Sequence, residues 1–316
     1  MLSQIPNLKN DKDSKFAIGL VTIAIPAYKA RYLHEAIDSA LRQDYSNIEV
    51  IIVNDKSPYD LDSIVSQFND ERIRYYKNHI NLGSQSIVLN WNRCLEYAKG
   101  EYFVLLCDDD YLFPNFVSTL LSLVKKYPSC DVFHARRMII HKDQRNSESK
   151  LWPEFESGED FQFNSLENKR HHTVTEFLFR TEFIKSKGGY MVFPIGYYSD
   201  TASILSWSKN GIASSQECIC AFRHNEENIS SNNERSHSYQ KFNAAIQYWH
   251  WILNFPNATK HLPKIKEDIE STIYLAFISA GVWNSIKIIA KTPNSLISIK
   301  HKIGFILSYL STNKHT

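Results

Sequence analysis

The chain has 316 residues, of which 43% are apolar and 22% are charged. These fractions are typical of a globular protein and exclude a disordered or fibrous chain. The 36 Lys and Arg residues nearly balance the 34 Asp and Glu residues, which argues against nucleic-acid binding through a broad basic surface. The length suits one large domain with an extension.

The cysteines and the N-terminus predict a cytoplasmic protein. An odd number of cysteines without a repeated spacing indicates free thiols rather than a disulfide framework or a zinc site. Residues 1–17 are polar, lack the apolar core of a secretory signal, and are expected to form a tail. No uncharged run reaches the ~18 residues of a membrane-spanning helix. The cysteines are Cys94, Cys107, Cys130, Cys218 and Cys220.

The hydrophobic pattern up to about residue 135 predicts strands that alternate with helices. Apolar, largely β-branched runs predict strands at 19–25, 48–53, 72–76, 102–107 and 131–134. Apolar residues at helical spacing predict helices that begin near Leu33, Leu61, Ile87 and Pro114. This alternation requires crossover connections, so we expect an α/β fold with a mainly parallel sheet and helices on both faces.

The later part of the chain gives weaker signals. Residues 142–170 are polar and are expected to form a long loop over the site, and mixed structure returns over 171–230. From about residue 239 the pattern is helical. The stretches 274–291 and 295–310 are apolar with interspersed lysines. We favour helices that pack on the preceding α/β part of the chain or on a second copy of it. The alternative is peripheral contact with anionic lipid at the inner face of a membrane.

Polar clusters follow three of the predicted strands. In an open parallel sheet, ligands bind beyond the carboxyl ends of the strands, so these clusters are expected to meet at one edge. They are Pro26-Ala27-Tyr28, Asn54-Asp55 and Asp108-Asp109-Asp110.

The acidic triplet is the most specific of these signals. Three adjacent carboxylates repel one another unless a cation balances their charge. Mg²⁺ and Mn²⁺ bind to one or two carboxylates together with substrate phosphates, so we expect a metal–diphosphate ligand. The alternative is an acidic turn that caps the helix beginning near Pro114. We favour the metal site because the other two clusters lie at the same edge.

Tyr28 and Asp55 together indicate recognition of a nucleobase. An aromatic ring can stack on a planar base, and a carboxylate can accept its N–H. Asp55 alone would be interpreted as a turn former.

These residues resemble those of the family 2 glycosyltransferases, which have the GT-A fold. The resemblance covers roughly residues 20–230 and is carried by VTIAIPAYKA, IEVIIVNDKSP, NLG and AKGEYFVLLCDDDYLFPN. It implies a GT-A domain over 18–230, with a nucleotide half (18–135) and an acceptor half (136–230), and a helical extension over 231–316.

The resemblance also implies roles for the three clusters. Pro26, Ala27, Tyr28 and Asp55 would hold the nucleoside. Asp108 and Asp109 would lie on the family's D-x-D element, with Asp108 at the donor nucleotide and Asp109 on the metal. Cys107 occupies the place where members often carry the leading Asp, so Asp110 is the alternative metal ligand.

The acceptor half resembles the family more loosely. An acidic pair before a helix supplies the catalytic base in the family, and only Asp200 of Ser199-Asp200 can play that part here. The alternative is a helix N-cap, and one residue can do both. In AFRHNEENIS, Arg223 would bind phosphate and His224 would be a further metal ligand or a surface residue. His171-His172 is interpreted as loop near the acceptor.

The resemblance implies an inverting, metal-dependent glycosyltransferase of the hexosyl or N-acetylhexosaminyl class. It would use a nucleotide-sugar, most simply a UDP-sugar, a divalent cation (Mn²⁺ or Mg²⁺) and a glycan or lipid-linked acceptor in surface polysaccharide assembly. A homo-oligomer is compatible with the C-terminal helices. Two alternatives stay open, a nucleotidyltransferase and a non-catalytic nucleotide-sugar-binding protein. The first is disfavoured because IPAYKARY contains no glycine for a phosphate loop.

Overall fold

The computed structural model describes residues 16–143, 145–224, 235–255 and 262–280, together with Lys287 and Ala290. The expected tail over residues 1–17 lies almost entirely outside the described residues, as do the stretch 295–310 and most of 281–291. Within the described ranges, no helix is both long and apolar enough to cross a membrane.

The first part of the chain alternates strands and helices as predicted. Every residue of the second strand, IEVIIVN, is buried. A strand that is covered on both faces carries a continuous apolar run, here VIIV, instead of an alternating pattern. The elements are β1 (Ala17–Ala27), α1 (Leu33–Leu41), β2 (Ile48–Asn54), α2 (Leu61–Val65), β3 (Ile73–Lys77), α3 (Ile87–Tyr97) and β4 (Gly100–Leu105).

The middle of the chain is more regular than expected. The predicted loop over 142–170 is wrong, because this range contains two short strands and a helix whose N-cap, Ser157, accepts a hydrogen bond from the Asp160 N–H. The elements are β5 (Tyr111–Leu112), α4 (Phe116–Lys126), β6 (Val132–Ile140), β7 (Asn146–Glu148), β8 (Phe155–Glu156), α5 (Gly158–Leu166), β9 (Phe177–Arg180), α6 (Thr181–Ser186), α7 (Ser199–Trp207) and β10 (Ile212–Arg223).

The ten strands of the described residues form one sheet in the order β3-β2-β1-β4-β9-β6-β10-β5, with β7 on β6 and β8 on β10. The strands β3, β2, β1 and β4 pair with one another in parallel, and β6 pairs in parallel with β10. The sequence did not predict the antiparallel strand β9 between β4 and β6. The α/β class with a central sheet is confirmed.

The core lies between the sheet and the helices that cover it. On α1, four apolar side chains at helical spacing are fully buried against β1 and β2, and each large one contributes about 1.5–3 kcal/mol to stability. These residues are Leu33, Ala36, Ile37 and Ala40. Because α1 is fixed in this way, the turn between β1 and α1 has a defined position.

The described residues belong to two compact units. The first contains those of 1–192 and 199–225, and the second those of 193–198 and 226–316. In the second unit, α8 (Arg235–Ile252) packs against α9 (Leu262–Ala280). The five cysteines are free thiols, as predicted. The domain boundaries at residues 18, 136 and 231 stay predictions.

Candidate active site

The acidic triplet and the two other polar clusters lie at the carboxyl ends of three adjacent parallel strands. β1 lies between β2 and β4, and Ala27 pairs with Asn54 at the end of the β1–β2 ladder. The Asp55 N–H donates to the Ala27 carbonyl at 2.9 Å. The predicted meeting of the clusters at one sheet edge is therefore observed.

Asp108 fixes the turn that leaves β1. Its Oδ2 accepts hydrogen bonds from the backbone N–H groups of Tyr28, at 2.7 Å, and Lys29, at 2.6 Å. The side chain is buried, and this burial, followed by the charge of Asp109, raises its pKa. Asp108 is thus the member of the triplet that binds backbone amides.

Asp109 carries a different partner, the ammonium of Lys29. The Lys29 Nζ lies 2.7 Å from Asp109 Oδ2. Burial lowers the pKa of Lys29, but the charges of Asp109 and then Asp108 outweigh that effect and raise it above the ordinary value. Sequence analysis missed Lys29, although a basic residue directly after Tyr28 at the end of a strand is visible in the sequence.

Asp110 binds donors from two distant parts of the chain. Its two oxygens accept hydrogen bonds from the Thr175 hydroxyl, at 2.8 Å, and the Arg223 backbone N–H, at 3.0 Å. Burial and the charge of Asp109 raise its pKa. Thr175 lies 65 residues further along the chain and was not predicted, because nothing local in the sequence indicates this contact.

Three ligand atoms of this edge are close enough to share a divalent ion. One atom each of Cys107, Asp109 and Asp110 lies within 4.8 Å of the other two. Carboxylate oxygens suit Mg²⁺ and Mn²⁺. The Lys29 ammonium on Asp109 shows that this edge already accommodates a cationic group. The two carboxylates therefore fit a divalent ion, and the Cys107 sulfur, at the place where the sequence departs from D-x-D, lies close to them.

Asp55 shapes the loop that follows β3. Its oxygens accept from the Leu82 N–H at 2.8 Å, the Gly83 N–H at 2.7 Å and the Asn78 amide at 2.7 Å. A Cβ at Gly83 would lie 2.9 Å from Asp55 Oδ2, which explains a glycine in NLG. The role of Asp55 toward a nucleobase stays a prediction.

Three predicted nucleoside contacts at the end of β1 differ in their exposure. Tyr28 directly follows the strand and is 40% exposed, and its carbonyl accepts from the Ser57 hydroxyl at 2.6 Å. Pro26 pairs with Val53 inside the parallel ladder, and Ala27 is fully buried. Of these three residues, Tyr28 is therefore the most accessible.

Arg223, at the end of β10, is held over the triplet by several groups. Its guanidinium stacks 4.0 Å above the Tyr32 ring, pairs with Glu35 at 2.7 Å, and donates from Nε to the Asp109 carbonyl at 3.0 Å. The structure thus brings Arg223 to the predicted metal site. His224 is exposed, near His141 and Phe222, and is not one of the clustered ligand atoms.

Asp200 lies in the first turn of α7. The helix begins one residue earlier, at Ser199, and Asp200 Oδ1 accepts from the Thr201 N–H at 2.8 Å. Burial is the main cause that raises the pKa of Asp200 to about 6, and the charge of Glu176 adds to it. A half-buried carboxylate with this pKa is ionised near neutral pH and basic enough to accept a proton.

A buried ion pair involves Glu176, the residue that follows the Asp110 partner Thr175. The Arg137 guanidinium donates to both oxygens of Glu176 at 2.7 Å, and His134 Nε2 lies 3.1 Å from Glu176 Oε2. Burial alone would raise the pKa of Glu176, but the Arg137 charge and the His134 hydrogen bond lower it to about 2. His172 lies edge-on to nearby aromatic rings, and burial lowers its pKa to about 4.

Glu176→Gln is expected to reduce the free energy of unfolding by about 3–5 kcal/mol, because it leaves the Arg137 charge buried without compensation. Urea unfolding of the full chain measures this change. Glu154→Gln is the matched control, since Glu154 forms an exposed pair with Lys126, and it should leave the unfolding midpoint unchanged. A similar unfolding midpoint for both variants would contradict a stabilising role of the Arg137–Glu176 pair.

Comparisons with protein families and with curated proteins both match glycosyltransferases. The model of glycosyl transferase family 2 matches residues 22–186. The chain is 38% identical over 144 residues to an uncharacterized glycosyltransferase of Rickettsia typhi, which is 42% of this chain and 44% of that protein. It is 39% identical over 93 residues to an Escherichia coli UDP-Glc:α-D-GlcNAc-diphosphoundecaprenol β-1,3-glucosyltransferase, WfaP, which is 29% of this chain and 36% of WfaP.

Among solved structures, Staphylococcus aureus TarS 1–349 in complex with UDP-GlcNAc aligns with a TM-score of 0.66 and 15% identity. The alignment covers 92% of this chain and 87% of that one, and it shows a shared fold. The chain spans less than half the length of either curated relative. The family model matches just over half of the sequence, from within β1 through β4 and the acidic triplet, so the chain belongs to glycosyl transferase family 2.

Proposed function

We propose that this chain is an inverting, metal-dependent glycosyltransferase that moves a sugar from a UDP-sugar to a hydroxyl of a glycan or lipid-linked acceptor. The observation that carries the proposal is the placement of Asp109 and Asp110 at the carboxyl end of β4, beside the Tyr28–Lys29 turn. Family membership and the names of WfaP and TarS support the donor class.

The residues divide the chemistry between them. Asp109, with Asp110 as the alternative and Cys107 nearby, would hold a divalent ion that supplies Lewis-acid stabilisation to the leaving diphosphate. The exposed Tyr28 ring would stack on the base, and Asp55 would accept its N–H. Asp200 would take the proton of the acceptor hydroxyl as the new sugar–oxygen bond forms on the face opposite the diphosphate, which inverts the anomeric centre.

The name of one relative supports a class of acceptor. WfaP, by its name, acts on a lipid diphosphate-linked sugar, so a lipid-linked acceptor in surface polysaccharide assembly is the substrate class we propose. A cytoplasmic location, contact with the inner face of a membrane and a homo-oligomer stay predictions, as does a role for His224 on the metal.

A thermal-shift screen of UDP-, GDP- and dTDP-sugars with and without Mn²⁺ tests the donor. A ligand present at 100 times its Kd should stabilise the native state by about 2.7 kcal/mol. We expect UDP-sugars to raise the melting temperature in the presence of Mn²⁺, and transfer to a lipid-linked GlcNAc acceptor to give the inverted anomer by NMR. Binding without transfer to any acceptor would favour a non-catalytic protein, and no shift with any nucleotide-sugar would contradict the proposal.

A further inference from the structure

Lys29 contacts two of the three aspartates through two different groups. Its backbone N–H donates to Asp108 Oδ2 at 2.6 Å, and its ammonium donates to Asp109 Oδ2 at 2.7 Å. The Tyr28 N–H also binds Asp108. The turn is therefore held by backbone groups, and the Lys29 side chain, which is 27% exposed, can move without breaking it.

The Asp109 carboxylate that binds Lys29 also supplies a ligand atom of the proposed metal site. A divalent ion binds a carboxylate oxygen at about 2.1 Å, so an ammonium on the same carboxylate would lie close enough to repel the ion strongly. Binding of an ion at Asp109 is thus favoured when the Lys29 ammonium leaves this carboxylate. A bare ion would have to displace Lys29 without offering it a new partner.

A nucleoside diphosphate offers that partner. It brings two phosphates to the sheet edge where the Lys29 stem is anchored, and a lysine ammonium binds phosphate readily as a compact charge. The Arg223 guanidinium is already bonded to Glu35 and to the Asp109 carbonyl. Lys29 can therefore leave Asp109 and bind a phosphate in a single movement of its side chain.

We propose that Lys29 couples the binding of the divalent ion to the binding of the donor diphosphate. Its ammonium neutralises Asp109 when the donor is absent and moves to the diphosphate when the donor and the ion bind together. This inference rests on the proposed function. It predicts that Mn²⁺ alone binds weakly, and that Mn²⁺ and UDP each increase the affinity of the protein for the other.

The test is a Mn²⁺ titration followed by the EPR signal of the free ion, without and with UDP. In K29M, Mn²⁺ alone should bind about tenfold more tightly than in the wild type, because no ammonium competes for Asp109. UDP, measured by calorimetry at saturating Mn²⁺, should bind about tenfold more weakly, because the phosphate partner is lost. The thermal unfolding midpoint establishes that the variant is folded, and K29Q provides the same test if K29M does not fold.

K126M is the matched control, since Lys126 pairs with Glu154 on the surface, and it should leave both affinities unchanged. Equal or weaker binding of Mn²⁺ alone to K29M would overturn the proposal for Lys29. The proposed function would stand in that case, provided that the wild type binds UDP with Mn²⁺. A wild-type protein that binds neither UDP nor Mn²⁺ would overturn both.

Discussion

Asp109→Asn is expected to reduce sugar transfer about 10³-fold. The loss of Lewis-acid stabilisation of the leaving diphosphate raises the activation free energy by several kcal/mol. Asn keeps the size of the side chain but loses the charge that a divalent ion requires. The substitution also leaves the Lys29 ammonium without its partner at 2.7 Å. Initial rates at saturating Mn²⁺ and UDP-sugar measure the loss of transfer. A Mn²⁺ titration in the presence of UDP measures the loss of metal affinity.

Asp44→Asn is the control for this prediction. Asp44 is exposed after α1 and accepts a hydrogen bond from the Ser118 hydroxyl, so its loss should leave both transfer and Mn²⁺ binding unchanged. If Asp109→Asn retains wild-type transfer while Asp110→Asn loses it, the metal ligand is Asp110. If both variants keep full activity, the metal site is not at this edge.

Asp200→Asn is expected to reduce transfer about 10²–10⁴-fold while leaving the affinity for UDP unchanged, because a general base acts on the acceptor and not on the nucleotide. The same variant should be more stable than the wild type. Burial raises the pKa of Asp200 from its ordinary 3.8 to about 6, so the ionised form, which predominates at neutral pH, is less stable in the folded state than in the unfolded state. Removal of that charge should increase the free energy of unfolding by about 1–3 kcal/mol.

The sign of the pH dependence follows from the same shift. The stabilising effect of the protonated Asp200 is present below pH 3.8 and is lost as the pH rises through about 6. Transfer requires the ionised form, so the rate should rise through about pH 6 and then level off. Stability and activity thus respond to this residue in opposite directions, and a merely structural residue would not show this combination.

Glu182→Gln is the matched control for Asp200, since Glu182 is an exposed acid in the first turn of the neighbouring helix α6. Its rate and pH profile should equal those of the wild type. Transfer by Asp200→Asn within tenfold of the wild-type rate, with the same pH profile, would show that another group accepts the proton.

Sequence patterns were sufficient where the determinants are local. The apolar run of β2 predicted that strand within one residue at either end, and the helical spacing predicted that α1 begins near Leu33. The position of Asp108 to Asp110 directly after a buried strand predicted that they would meet the β1 and β2 ends, because parallel topology places those ends together.

The rest depends on contacts between residues that are distant in the sequence. β9 enters the sheet between β4 and β6 as an antiparallel strand, and its short run FLFR carries no signal of that place. The division of roles within the triplet was likewise hidden, since it depends on which donors reach each carboxylate. Asp108 binds backbone amides, whereas Asp110 binds Thr175 and the backbone of Arg223.

A crystal structure of the wild type with UDP and Mn²⁺, recorded with anomalous data, tests the proposed metal site most directly. The expected result is an anomalous peak about 2.1–2.3 Å from a carboxylate oxygen of Asp109 or Asp110 and at a similar distance from the UDP phosphates. Well-ordered UDP with no peak at this edge, or a peak held by residues elsewhere in the chain, would contradict a metal-dependent transfer at the end of β4.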